Sequence, residues 1–307
     1  MKFWLLPFSL LLFILPASGQ QPDSLKPRAQ NPSPMIENAR LHQRIPEHAL
    51  AGIQFEIAAL LPKPAKVFVP DNRRKARNFD LLIHFHGAGF LTQYAAFHHR
   101  NALLAATVNL GAGSGVYGRA FEDSTTFTEL LQALHDSLQA RLTRPIEIKR
   151  IILSGFSAGY GAIRKILSTP QNYARVDAIL LLDGIHASYV PEYQVLAEGG
   201  AIQADDLTAF VRFARGAAAP NSRKRFLITH SEIFPGTFVS TTEATDFILR
   251  ELNMKRRPVL EWGPLGMQQI SESRQHHFAV LGFAGNTAPD HVDHLHALYF
   301  FVNELMK

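Results

Sequence analysis

The stretch Ile151-Ile-Leu-Ser-Gly-Phe-Ser-Ala-Gly-Tyr-Gly-Ala-Ile-Arg-Lys-Ile-Leu167 starts as an apolar run and ends in a helical pattern. Between the two, Gly155 and Gly159 flank Ser157. A strand that turns tightly into a helix brings its neighbouring residues close together, and glycines remove the side chains that would collide. The serine is then held in a strained backbone conformation with its hydroxyl exposed, and the amide of Ala158 lies at a helix N-terminus. A Gly-x-Ser-x-Gly pattern arises by chance in roughly one chain of this length in ten, from ordinary Gly and Ser usage. An ordinary turn serine is therefore the plain alternative, and the position between strand and helix argues for a nucleophile.

Outward from this turn, short β-branched or Leu-rich runs bounded by polar turns predict buried parallel strands. They cover Phe79 to Phe85, Leu104 to Leu110, Arg150 to Ser154, Val176 to Leu182, Arg225 to Thr229 and Phe278 to Phe283. Ile53 to Ala58 and Ala65 to Val69 predict an antiparallel pair closing one sheet edge. Helical periodicity fills the intervals at Phe127 to Leu142, Ala158 to Leu167, Leu207 to Arg215, Thr241 to Leu252 and Val292 to Met306. Strand and helix alternating in this way predict an α/β fold: a three-layer sandwich, mostly parallel, with helices on both faces of the sheet. Residues 184–221 exceed a normal crossover and are expected to form a lid or pocket wall.

Lys2, the apolar run Phe3 to Leu15 and the small residues Ala17-Ser18-Gly19 predict a signal peptide over residues 1–19, hence a secreted or periplasmic protein with no stable membrane anchor after cleavage. Residues 20–37 read as a flexible leader and 38–307 as one globular domain, consistent with 47% hydrophobic content. With no cysteine there is no disulfide framework. The net charge of +5 is mild, and its clusters (Arg73-Arg74-Lys75, Arg223-Lys224-Arg225, Lys255-Arg256-Arg257) lack interleaved aromatics, so they read as solvated loops and not as a nucleic-acid groove.

A second motif ends the strand Phe79 to Phe85: His84-Phe85-His86-Gly87-Ala88-Gly89-Phe90. Functional groups of a parallel sheet gather at the carboxyl ends of its strands, and glycines there let main-chain N–H groups turn toward a developing oxyanion. With both motifs in place the chain resembles the α/β-hydrolase family: His86-Gly87-Ala88-Gly89 is similar to its oxyanion loop and Gly155-Phe156-Ser157-Ala158-Gly159 to its nucleophile elbow. The resemblance spans Ile53 to the C-terminus. It implies an eight-stranded, mostly parallel sheet, cleavage of an ester or amide through an acyl-enzyme, and an oxyanion hole from Ala158 and from Gly87, Ala88 and Gly89. No substrate follows from it, because the fold hosts many chemistries.

A serine hydroxyl needs an imidazole to take its proton and a carboxylate to orient that imidazole. The family places the histidine after the last strand, where Asp290-His291-Val292-Asp293-His294-Leu295-His296 stands. With Asp290 as helix cap, His291 falls in the first turn and is favoured; His294, one turn deeper, is the alternative. For the acid, Asp183 follows the apolar strand ending at Leu182 and is favoured over Glu232, which follows the next strand, and over Asp290. Phe90, Tyr117 and Phe156 are expected to line the substrate pocket, Tyr117 from a glycine-rich loop over residues 111–118. Fourteen histidines invite a metal, and His291-x-x-His294 has helical ligand spacing, but no His-Glu-x-x-His motif appears and no metal or cofactor is implied. The expected function is a secreted carboxylic-ester hydrolase acting on a small or polymeric ester. A non-catalytic ligand-binding protein on the same scaffold and a serine peptidase are the alternatives.

Overall fold

The computed structural model describes residues 41–307; the expected signal peptide (1–19) and leader (20–37) lie outside the described residues. A central ten-stranded mixed sheet dominates. Six neighbouring strands run parallel: β4 (Leu103–Val108), β3 (Asn78–Phe85), β5 (Glu147–Phe156), β6 (Ala178–Leu182), β9 (Arg225–His230) and β12 (Phe278–Phe283). One edge is closed by β2 (Ala65–Pro70) and β1 (Gly52–Ile57), which continue antiparallel, as the sequence predicts.

The sheet is two strands larger than the eight expected. At the far edge β11 (Gln268–Gln275) and β10 (Arg257–Trp262) add antiparallel strands. Their sequences, Gln-Gln-Ile-Ser-Glu-Ser-Arg-Gln and Arg-Pro-Val-Leu-Glu-Trp, carry no apolar run, because β10 is largely solvent-exposed and β11 only half covered. Pro258 and the charged Arg257 and Glu261 on β10 suit a sheet edge.

The period of two along the central strands makes two cores. On β3, Phe79, Leu81, Ile83 and Phe85 face one layer, packed by α3 (Thr126–Leu142), α4 (Tyr160–Ser168), α6 (Thr208–Ala217) and α7 (Thr241–Glu251). Leu82 faces the other, covered by α1 (Gly89–His98), α8 (Ala288–His296) and α9 (Leu298–Leu305). Strands buried on both faces read as continuous apolar runs, and each buried Leu or Phe contributes about 1.5–3 kcal/mol of transfer free energy.

Four local expectations change. The helix expected over Val292 to Met306 is two, α8 and α9, divided at Ala297. The strand expected to reach Leu110 ends at Val108. The glycine-rich segment 111–118 enters a short helix, α2 (Ser114–Ala120), instead of staying a loop. Residues 184–221 form no detached lid: a hairpin of β7 (Tyr189–Val190) and β8 (Ala201–Ile202) leads into α6, whose apolar face is buried in the core. No helix among the described residues is long and apolar enough to cross a membrane.

Candidate active site

Four neighbouring strands, in the order β3, β5, β6 and β9, end level with one another. The residues immediately after them are His86, Ser157, Asp183 and Ser231. Three of the four are held at positive φ without being glycine: His86 at 71°, Ser157 at 47° and Asp183 at 43°. Such backbone conformations cost of order 1–3 kcal/mol each and persist where the surroundings over-determine them.

The surroundings of Ser157 are glycines. A Cβ on Gly159 would lie 2.1 Å from the carbonyl oxygen of Phe85, and one on Gly155 would lie 3.0 Å from the backbone of Gly159 and Tyr160. On the other side, a Cβ on Gly184 would stand 2.3 Å from the Ser157 carbonyl oxygen and 2.5 Å from its nitrogen. The backbone of β3's end, the elbow and the residue after Asp183 therefore touch, which any side chain would prevent.

The two residues expected as acid and base lie in contact: His291 Nδ1 is 2.7 Å from Asp183 Oδ2. Asp183 also accepts from the Ser231 amide (2.9 Å) and the Ser231 hydroxyl (2.6 Å). Burial alone would push the Asp183 carboxyl up, but the nearby imidazoles of His294 and His291 and the Ser231 hydroxyl outweigh it and hold the group well below the usual carboxylate range. An ionised carboxylate only accepts hydrogen bonds, so the proton between them sits on His291 Nδ1, and in the neutral tautomer Nε2 is the acceptor. The ring of Phe156 packs 4.5 Å from that of His291 and stacks 6.0 Å from His86.

The alternatives fall elsewhere. Glu232 is exposed and accepts from the Gly285 amide at 3.1 Å. His294 is buried in the core, with Nδ1 2.8 Å from Thr229 Oγ1 and its ring against Phe283 and Phe301. Asp290 is not the helix cap: Thr287 caps α8, and Asp290 is the third residue of a capping box, its carboxylate accepting from the Thr287 amide at 3.0 Å.

Two clefts meet at Ser157, His186 and Phe238. One, of about 340 Å³, holds His291 and Asp183 and is walled by Ile233, Pro235 and Ala288. The other, of about 480 Å³, is bordered by Ala158, Ser114, Tyr160, Arg164 and Asp206. The segment expected as a pocket wall does contribute His186, Ala187, Ser188 and Asp206. No hydrogen bond joins the Ser157 hydroxyl to His291 or to any other described residue, and catalytic contacts of this kind tighten when substrate binds.

Three residues expected at the substrate pocket lie outside it. Tyr117 is fully buried; its hydroxyl donates to Asn109 Oδ1 (3.3 Å), accepts from the Leu110 amide (3.2 Å) and lies 3.0 Å from His86 Nδ1. Phe156 is buried under the histidines instead of facing the cleft. Phe90, with Gly87 and Gly89, opens onto a separate cleft beside Lys66 and Asn109. Of the expected oxyanion donors, Ala158 alone borders the Ser157 cleft.

His42, Asp290 and Asp293 gather potential metal-ligating atoms within 4.8 Å of one another. Their chemistry is already answered by protein groups: His42 Nδ1 stands 2.7 Å from Asp293 Oδ2, Arg44 Nε 3.3 Å from Oδ1, and Asp290 serves the capping box. No family model matches the chain, and no curated protein matches it.

Sequence reasoning missed Ser231, Gly184 and His186. Each had a signal: Ser231 is a polar residue directly after a strand, and Gly184 and His186 stand beside Asp183 in Leu-Leu-Asp-Gly-Ile-His. His186 Nδ1 lies 2.9 Å from the Val239 carbonyl, which can only accept, so Nδ1 carries the proton; burial keeps the ring neutral, with its pKa lowered to about 4.

Proposed function

We propose that this chain is a serine hydrolase of the α/β-hydrolase kind, exported by its N-terminal signal peptide and cleaving carboxylic esters. The observation that carries the reading is the 2.7 Å contact of His291 Nδ1 with the buried Asp183 carboxylate, in a cleft shared with a serine on a strained strand-to-helix turn. Eight of the ten strands, β10 and β11 apart, match the mostly parallel sheet that the resemblance implies and support it further.

In the proposed mechanism Ser157 Oγ attacks the acyl carbon while His291 Nε2 accepts its proton. Asp183 holds the imidazole in the required tautomer and stabilises the imidazolium. The amide of Ala158, the one expected donor that borders the Ser157 cleft, donates to the oxyanion. Collapse of the tetrahedral intermediate transfers the His291 proton to the leaving alkoxide, and water attacks the acyl-enzyme by the same steps in reverse. A fluorophosphonate probe tests this reading: the wild type should be labelled at Ser157 and Ser157→Ala should not. A folded wild type that resists labelling would instead leave a binding protein on this scaffold.

A further inference from the structure

The two clefts that meet at Ser157 differ in chemistry, and the proton path decides which part of a substrate each receives. On the reading of Ser157 as nucleophile, we propose that the substrate is an ester with a neutral, hydroxyl-bearing acyl arm and an apolar leaving alcohol.

His291 must hand its proton to the departing oxygen, so the alcohol lies on the His291 side of the scissile bond. That side is the smaller cleft, where Ile233, Pro235, Phe238 and Ala288 present apolar surface. The acyl chain then extends past Ala158 into the larger cleft. Its wall carries Ser114 and Tyr160, whose hydroxyls lie 3.1 Å apart, and the ion pair of Arg164 Nη1 with Asp206 Oδ1 at 2.9 Å. Asp206 spends its second oxygen on the Ser188 amide at 2.9 Å. The pair is neutral as a unit, so a carboxylate arm would find no unbalanced cation, whereas a hydroxyl finds donors on the guanidinium and hydroxyl partners on Ser114 and Tyr160. His186, at the junction, adds an acceptor at Nε2, because its Nδ1 proton is given to Val239.

Three esters separate the arms: butyl hexanoate, butyl ω-hydroxyhexanoate and the ω-hydroxybutyl ester of hexanoic acid. Hydroxylating the acyl end should raise kcat/KM by about tenfold, and hydroxylating the alcohol end should lower it by about tenfold, the range that one polar contact or one misplaced polar group produces in a pocket. Ser114→Ala and Arg164→Met should each erase the gain from the acyl hydroxyl, and Ile233→Thr, at a residue that lines the alcohol cleft and not the acyl cleft, should erase the penalty on the alcohol. Fluorophosphonate labelling of Ser157 runs alongside. Labelled enzyme with the preferences absent or reversed, or with no turnover of any of the three esters, overturns the substrate assignment alone. An unlabelled, folded protein overturns the nucleophile reading and this assignment with it.

Discussion

Asp183 carries more of the site than its size suggests. It is 3% exposed, and the charge that burial opposes is sustained by His291, His294 and both donors of Ser231. Asp183→Asn keeps the shape, but an amide can present its NH₂ to His291 Nδ1 and so favours the wrong imidazole tautomer. Turnover of an activated ester should fall by about 10⁴-fold, the scale of a lost triad acid, while the thermal midpoint moves little. Glu232→Gln, at an exposed carboxylate bound to the Gly285 amide, should change turnover by less than about threefold. A large drop in Glu232→Gln, with Asp183→Asn near the wild type, would move the acid to Glu232. The two histidines separate by a different readout. His291→Ala should abolish turnover in a protein that melts normally. His294→Ala vacates a core position between Phe283 and Phe301 and should lower the melting temperature first, at a cost of about 2–4 kcal/mol.

At the scale of elements, Ser157 is positioned by backbone contact between strand ends. Gly184 follows Asp183 and leaves no room beside the Ser157 backbone, so Gly184→Ala must push the elbow away from its place. A displacement near 1 Å at a reacting group costs on the order of 10²-fold in rate, and kcat should fall by about that factor with circular dichroism unchanged. Wild-type kcat in Gly184→Ala would show that the elbow does not need this contact. Helix α8 holds His291 in a comparable way. Its capping box joins Thr287 and Asp290, and Asp293 ties it to His42 and Arg44 in the segment preceding β1. Thr287→Ala removes the cap and should destabilise the fold by about 1 kcal/mol, read from a denaturant midpoint, with kcat reduced more than KM is raised because His291 stands one turn from that end.

At the scale of the whole molecule, the parts legible in the sequence were those buried on both faces. The six parallel strands and Ser157 at the end of one of them followed from apolar runs and paired glycines, because burial dictates composition there. β10 and β11 were not legible, since one is exposed and the other polar, and Tyr117 was misplaced because a phenol that finds three polar partners can be buried as completely as a phenylalanine. The same burial makes the fold sensitive to acid. His84 is fully enclosed, with Nδ1 3.1 Å from Ser154 Oγ, and burial lowers its pKa to about 3. His186 and His230 are each lowered to about 4, His186 by burial and His230 by burial and the adjacent Arg256. In the unfolded chain all three titrate near 6.5. Above that pH they are neutral in both states and neither favour nor oppose folding. Between about 6.5 and 4 the unfolded chain binds protons that the folded protein refuses, so stability falls as pH is lowered, by up to about 1.4 kcal/mol per pH unit for each histidine. Asp183 adds little in this window, because its depressed pKa withdraws stability mainly as the pH falls through the ordinary carboxylate value of 3.8 and below. Thermal melts from pH 7 to pH 4.5 should therefore show a steep decline in Tm. His84→Asn preserves a hydrogen-bonding group toward Ser154 and removes one titration, and should make the decline shallower. An unchanged slope in that variant would mean that His84 is protonated in the folded protein and that its burial does not set the acid limit.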